Sequence, residues 1–170
     1  NKNIKISSFS KRLCGKHRPN HFKAVADVID RFIKIIKPNK IYFGKKDMQQ
    51  FKIMEEYINN KFKKIKVVGC KTIREKNGVA FSSRNFLLTL NQKITASKVY
   101  SFLSKKKYLL IKKKISLNAA KKKIISLGVD KLEYIEIIDV NKITKKYKKR
   151  SSIKIFVAYY LGATRLIDNI

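Results

Sequence analysis

Apolar side chains at Phe22, Val25, Ile29, Phe32, Ile33 and Ile36 recur three and four residues apart, the spacing of one helical face, and Pro38 ends the run. Lys40 to Phe43 then reads as a short buried strand, broken by Gly44. Met48, Phe51, Met54, Tyr57, Ile58 and Phe62 resume the helical spacing, and Ile65 to Cys70 reads as the next strand. Helix, strand, helix, strand with short connections predicts a parallel sheet covered by helices, part of an open α/β domain.

The pattern changes after Asn85. Thr89 and Gln92 supply a Thr-x-x-Gln capping box that opens a lysine-rich helix, and Ser116 to Leu127 predicts another helix, ended by Gly128. Leu132 to Asp139 and Ser152 to Tyr160 read as strands, joined by the basic connection Asn141–Arg150. This half is expected to be a small α+β module. The boundary is therefore placed near residues 85–90, giving one domain over 1–85 and a second over 86–170. No internal repeat is visible.

A hydrophobic fraction of 44% over 170 residues supports a real core. The net charge of +31 invites a nucleic-acid reading, because neutralising phosphates releases counterions. However, thirty-five of the forty-two cations are Lys and seven are Arg, and Arg is the side chain suited to bidentate phosphate and guanine contacts. Lys105–Lys107 and Lys112–Lys114, two helical turns apart with Leu109, Leu110 and Ile111 between, are expected to share a solvated helix face. The longest apolar stretch, Ile155 to Ala163, is far short of the ~18 residues of a membrane span. Asn1 to Gly15 carries no apolar signal-peptide core. Two cysteines, Cys14 and Cys70, favour a reducing compartment over a disulfide framework, and the cytoplasm is the expected location. A start at Asn rather than Met is what a fragment or a processed product would show.

Gly44-Lys45-Lys46-Asp47 lies between a predicted strand and a predicted helix. Free backbone N–H groups at a helix start attract anions, and two lysines deepen the positive potential. Gly44 would let the chain turn and a ligand approach; Asp47 could cap the helix or hydrogen-bond a ribose hydroxyl. Gln50 falls one turn beyond Asp47 on the same face. Phe81-Ser82-Ser83-Arg84-Asn85 follows an Asn77-Gly78 hairpin signal and offers hydroxyl and guanidinium donors suited to a polyphosphate; a plain polar loop is the alternative. Cys14, His17 and His21 have a ligand-like spacing, but a structural zinc site wants four ligands, so no metal site is assigned.

Four ordered segments resemble the pantothenate synthetase (pantoate–β-alanine ligase) family along almost the whole chain. Arg18-Pro19-Asn20-His21-Phe22 is similar to its Arg-Pro-Gly-His-Phe segment. Tyr42 to Gln50 resembles its Phe-Gly-x-Lys-Asp-x-Gln-Gln signature. Val67 to Asn85, with Thr72-Ile73-Arg74-Glu75 and Ser82-Ser83-Arg84-Asn85, resembles its Ser-Ser-Arg-Asn region, and Ala158 to Asn169 its C-terminal signature. Asn20, Lys45 and Lys71 depart from the family's usual Gly, acidic or polar residue, and Pro. The family's N-terminal His-x-Gly-His part has no counterpart in these residues, and His21 is read as structural.

The resemblance implies the later half of a Rossmann-like nucleotidyltransferase domain followed by a small lid. It implies ATP- and Mg²⁺-dependent joining of pantoate to β-alanine through a pantoyl adenylate, with AMP and pyrophosphate released. Gly44, Lys45, Lys46 and Asp47 would line the ATP site, Lys46 on the phosphates and Asp47 near the ribose. Ile73 would contact the adenine region, Phe81, Ser82, Ser83 and Arg84 would clamp the phosphates, and Gln50 would hold pantoate. Lys46 and Arg84 would carry the catalytic charge stabilisation, and the catalytic histidine is not in this chain, so this chain alone is expected to be inactive. The expected partners are the two substrates, a second copy in a homodimer, and a separate N-terminal segment, with no specific nucleic acid and no membrane. The competing readings are a basic nucleic-acid-binding protein and another adenylating nucleotidyltransferase.

Overall fold

The computed structural model describes residues 4–143 and 152–170. The chain divides into two compact units, one from residues 1–71 and 140–151, the other from residues 72–139 and 152–170. The division after residue 71 is earlier than the 85–90 suggested by the change in pattern. Val79 and Leu88 bury in the second core, so the segment ahead of the capping box already belongs to the second unit. Of the basic connection Asn141–Arg150, residues 144–150 lie outside the described residues.

In the first unit, helix α1 (Cys14–His17) leads into helix α2 (His21–Ile36), strand β1 (Lys40–Gly44), helix α3 (Met48–Lys61) and strand β2 (Lys66–Cys70). Helix α2 begins after Asn20 in the left-handed region (φ 62°) and ends at Lys37, also left-handed, just before Pro38. The left-handed backbone at residue 20 accounts for Gly and Asn as alternatives there, the two residues that tolerate it best.

Helix α2 buries Phe22, Ala26, Asp30 and Ile33, while Phe32 and Ile36, expected on the same face, are exposed beside Val28 and Ile35. The apolar spacing is wide enough for two stripes, and only one packs inward. Strands β1 and β2 pair in parallel, with Ile41 opposite Val67 and Phe43 opposite Gly69. The expected buried strand is instead an alternating one: Tyr42 is 62% exposed between half-buried Ile41 and Phe43. One face of the pair meets α3, through the Phe43 and Phe51 rings 6.4 Å apart, while the row of Lys40, Tyr42 and Gly44 faces outward.

Helix α4 (Leu90–Ile111) opens the second unit's α+β layer, with the expected capping box in place: Gln92 N–H donates to Thr89 Oγ1 (3.3 Å) and Thr89 N–H to Gln92 Oε1 (2.9 Å). The helix ends at Ile111, so Lys112–Lys114 do not share its face with Lys105–Lys107; Lys112 caps the helix and Lys113 turns left-handed (φ 57°). Helix α5 (Leu117–Ser126) is capped by Ser116 and stopped by Gly128 at φ 97°. Strands β3 (Lys131–Asp139), β4 (Ile153–Leu161) and β5 (Thr164–Asn169) form an antiparallel sheet in that order. Strand β5 was not expected; it follows a two-residue Gly162-Ala163 turn, with Leu161 opposite Thr164. Leu103 and Leu110 of α4, Ile124 of α5 and Ile155 of β4 are fully buried at the helix–sheet interface.

Asp30 joins α2 to α3. Its carboxylate is fully buried and accepts from Tyr57 Oη (2.7 Å) and Lys61 Nζ (2.6 Å), with Lys34 Nζ at 2.6 Å. Burial by itself pushes the Asp30 carboxyl up; the bonds from Lys34, Lys61 and Tyr57 outweigh it and hold the group well below the usual carboxylate range. The unfolded chain therefore binds the extra proton first, and stability falls as the pH drops below about 5. Asp30→Asn is expected to cost about 1–3 kcal/mol at neutral pH, the scale of a buried polar partner left unmatched. The variant should also lose that part of the acid dependence, as urea unfolding at pH 7, 5 and 3 will show.

Candidate functional site

The first set of candidate residues sits between β1 and α3. Gly44 is extended (φ −69°, ψ 126°), so the turn begins after it, as a 3-10 turn over Lys45–Asp47. A Cβ at Gly44 would meet nothing within 4 Å, so open approach, rather than backbone conformation or crowding, is what the missing side chain provides. Asp47 occupies the N-cap of α3 without a side-chain cap bond, so the capping alternative is not realised. Lys45 and Lys46 are half-buried at this helix start, beside its partly positive end. The Lys45 stem lies against Gly69: a Cβ there would come within 2.6 Å of Lys45 Cε and 2.8 Å of Phe51 Cζ.

Gln50 is half-buried one turn on. Its neighbour Gln49 is buried and structural, donating to Phe9 O (2.9 Å) and Arg12 O (2.7 Å) and accepting from Cys14 N–H (3.1 Å). Cys14 is thereby part of the packing, and the His21 ring lies 5.0 Å from that of its neighbour Phe22. Among the described residues no group of three His, Cys, Asp or Glu side chains could hold a metal ion.

The second set sits on a hairpin over residues 72–82. Arg74 and Ala80 form an antiparallel bridge, Phe81 N–H donates to Ile73 O (3.0 Å), and Gly78 N–H donates to Glu75 O (2.8 Å). Gly78 is left-handed (φ 88°) and so close to the Tyr100 ring that no side chain fits. Strand alternation gives the hairpin two faces. Ile73 and Phe81, opposite one another, are 67% and 58% exposed, while Ala80 is buried. The Phe81 ring thus supplies apolar area next to Ile73, and only its backbone could join a phosphate clamp. Ser82 Oγ accepts from Arg84 N–H (3.3 Å), starting a 3-10 turn over Ser83–Leu87. Arg84 is exposed and donates one bond to Arg165 O (3.2 Å).

Arg74 holds this hairpin, and its role escaped the sequence reading. Its guanidinium is bidentate to Asp168 (2.7 and 3.0 Å), donates to Gly78 O (3.0 Å), and lies over the Tyr100 ring at 4.4 Å. Burial alone would lower the Arg74 pKa, and the hydrogen bond and charge of Asp168 overcome it. Burial and then the Asp168 charge push the Tyr159 hydroxyl up, so it stays protonated. Arg165 is fixed in turn by Glu133, and buried Asn85 bonds Glu75 Oε1 (2.6 Å) and Ala80 O (3.1 Å). Arg74 and Asp168 lie in two separate motifs, and no local spacing could pair them. The candidate residues therefore form two sets, Gly44–Asp47 with Gln50 in the first unit and Ile73 with Phe81–Arg84 in the second.

The α/β class expected from the sequence is observed, with a parallel strand pair and a separate antiparallel sheet. The family model described as pantoate-beta-alanine ligase matches residues 2–170, and the chain belongs to that family. A pantothenate synthetase from Sulfurihydrogenibium sp. (strain YO3AOP1) is 36% identical over 98% of this chain and 61% of its own length. A bifunctional pantoate ligase/cytidylate kinase from Trichodesmium erythraeum is 36% identical over 98% of this chain and 33% of its own length. Among solved structures, the pantoate-beta-alanine ligase from Francisella tularensis, complexed with beta-gamma ATP and beta-alanine, has a TM-score of 0.78 at 32% identity. It is matched over 99% of this chain and 58% of that one. Pantothenate synthetase from Thermus thermophilus has a TM-score of 0.81 at 27% identity over 95% of this chain and 60% of that one. The chain thus spans less than two thirds of the length of these relatives.

The Gly69 contact is testable. Gly69→Ala should destabilise the chain by about 1–3 kcal/mol, because the flexible Lys45 end can move but the packed Phe51 ring cannot easily do so. Combining it with Phe51→Leu should cost less than the sum of the two single changes in urea unfolding.

Proposed function

We propose that this chain carries the ATP-handling part of an enzyme that joins pantoate to β-alanine. The observation that carries the reading is the β1–turn–α3 junction, where an open glycine is followed by two half-buried lysines at a helix start. Family membership supports it, and the relative solved with beta-gamma ATP and beta-alanine supports the nucleotide and one substrate. Residues 1–85 are assigned by function to the adenylating part and 86–170 to the lid, with residues 72–85 serving the adenylating part while packing with the second compact unit. The cytoplasm is the proposed setting, in keeping with two free cysteines. No helix among the described residues is long and apolar enough to cross a membrane.

In this reading the pantoate carboxylate attacks the α-phosphorus of ATP and pyrophosphate leaves. The β-alanine amine then attacks the acyl carbon and AMP leaves. Lys46 and Arg84 place fixed positive charge where the phosphate oxygens gain negative charge, which favours the transition state over the ground state. Asp47 accepts from a ribose hydroxyl, Gln50 orients pantoate through its amide, and Ser82 and Ser83 donate to the phosphates. Ile73 and Phe81 offer the apolar surface for the base. Mg²⁺ is commonly held mainly by substrate phosphates and water, and with Asp47 given to the ribose no side chain of this chain is assigned to the ion. Bound to the phosphates, the ion would add charge neutralisation on them.

The test uses the chain alone and mixed with the N-terminal His-x-Gly-His portion of a pantothenate synthetase, measuring pantoate-dependent exchange of pyrophosphate into ATP. Exchange is expected only on mixing, and Lys46→Ala should lower it by an amount equivalent to about 2–4 kcal/mol, the scale for one preorganised donor. Unchanged exchange in that variant, with stability intact, would remove Lys46 from the phosphate site.

A further inference from the structure

The hairpin over residues 72–82 presents Ile73 and Phe81 on one face and Arg74 and Ala80 on the other. Its tip is tied to α4 by Ser97 Oγ, which donates to Asn77 O (2.8 Å), and its limbs are tied to each other by Asn85. Beyond the hairpin itself, Arg74 reaches strand β5: its fork meets both Asp168 oxygens, and Nη2 also lies 3.4 Å from Asn169 O. Asp168 Oδ1 is further fixed by Asn169 N–H (2.7 Å). The two side chains are 21% and 13% exposed, and neither contributes to the apolar core, which is built by α4, α5 and the sheet. Such a pair orders a loop without being needed to hold the core together. Its planar, bidentate and stacked geometry also fixes orientation as well as distance.

We propose that Arg74 is a positioning residue: clasped by Asp168 and stacked on Tyr100, it sets the orientation of the hairpin that presents Ile73 and Phe81–Arg84, so that nucleotide meets a loop already ordered. This rests on the nucleotide reading given above. A preordered loop spares the ordering cost that binding would otherwise carry, so loss of the clasp weakens nucleotide binding without any lost ligand contact.

The experiment is limited trypsin digestion of the chain with and without ATP and Mg²⁺. Cleavage after exposed Lys76 reports the hairpin, and cleavage after exposed Lys121–Lys123 of α5 reports the unit as a whole. Arg74→Met keeps an apolar stem over Tyr100 and removes the fork; Asp168→Asn keeps shape and removes charge. Each variant should speed cleavage after Lys76 by about tenfold with α5 unchanged, and each should need about tenfold more ATP for protection. The double variant should be no worse than the single ones, because both remove the same interaction.

Cleavage after Lys76 at the wild-type rate, effects that add in the double variant, or equal acceleration in α5 each overturn the proposal. If ATP fails to protect the wild-type hairpin while the variants still open it, the nucleotide reading falls and the clasp stands. If ATP protects wild type and variants alike, the nucleotide reading stands and the clasp falls.

Discussion

A guanidinium offers five donors in one rigid plane, and Arg74 uses that plane to join segments that secondary structure leaves separate. The hairpin has one strand bridge and a few backbone hydrogen bonds of its own, and an isolated two-stranded hairpin is marginally stable at best in water. Further order comes from outside, from Asp168 at the end of β5, the Tyr100 ring of α4 and Ser97, while the bond from Arg74 to the Gly78 carbonyl braces the hairpin from within. Each partner depends on something further back. Asp168 is placed by the pairing of β5 with β4, Tyr100 by a helix whose buried residues lie on that same sheet, and Gly78 by a positive φ that a side chain would disfavour. The antiparallel sheet is thus the reference to which the hairpin is built.

The first unit solves a similar problem with different groups. Its described residues form two parallel strands, and its helices meet through polar interior contacts as well as apolar ones. Asp30 is satisfied by a phenol and two ammonium groups, and Gln49 fastens the segment around Phe9 and Arg12 to α3 with three hydrogen bonds. Both arrangements fix α3, the element at whose start Lys45, Lys46 and Gln50 are presented. Charge around α3 is arranged at its two ends: Lys61 in its last turn meets the buried Asp30 carboxylate of α2, and Lys45 and Lys46 lie in the turn ahead of its start.

Much of this was legible in the chain because it is local. The helical spacing from Phe22 to Ile36, the capping box at Thr89 and Gln92, and the glycine stop at residue 128 all act within a few residues. The errors have a common cause in what lies across the fold. Tyr42 reads as core because its segment is apolar, yet whether a strand face is covered depends on distant layers. Lys112–Lys114 read as helix because lysine suits one, yet the turn at Lys113 decides otherwise. Strand β5 lies inside the segment that resembles the family's C-terminal signature, and its partner interactions lie with β4 and Arg74. The residues proposed to face phosphate stand out by type and order. The residue proposed to orient them does not, because Arg74 and Asp168 are 94 positions apart.

That separation also sets a schedule. The chain is made from one end, so Arg74 leaves the ribosome long before its partner exists. At 5–20 residues per second, 94 residues take roughly 5–20 seconds. During that interval the hairpin has its bridge, its glycine turn and the partners Asn85, Ser97 and Tyr100, but not its carboxylate. The bidentate clasp can close only when β5 has been added to the sheet, after the whole of α4, α5, β3 and β4 has been made. A chain that stops short of Asp168 therefore has every candidate nucleotide contact in its sequence but lacks the group that orients the loop carrying half of them.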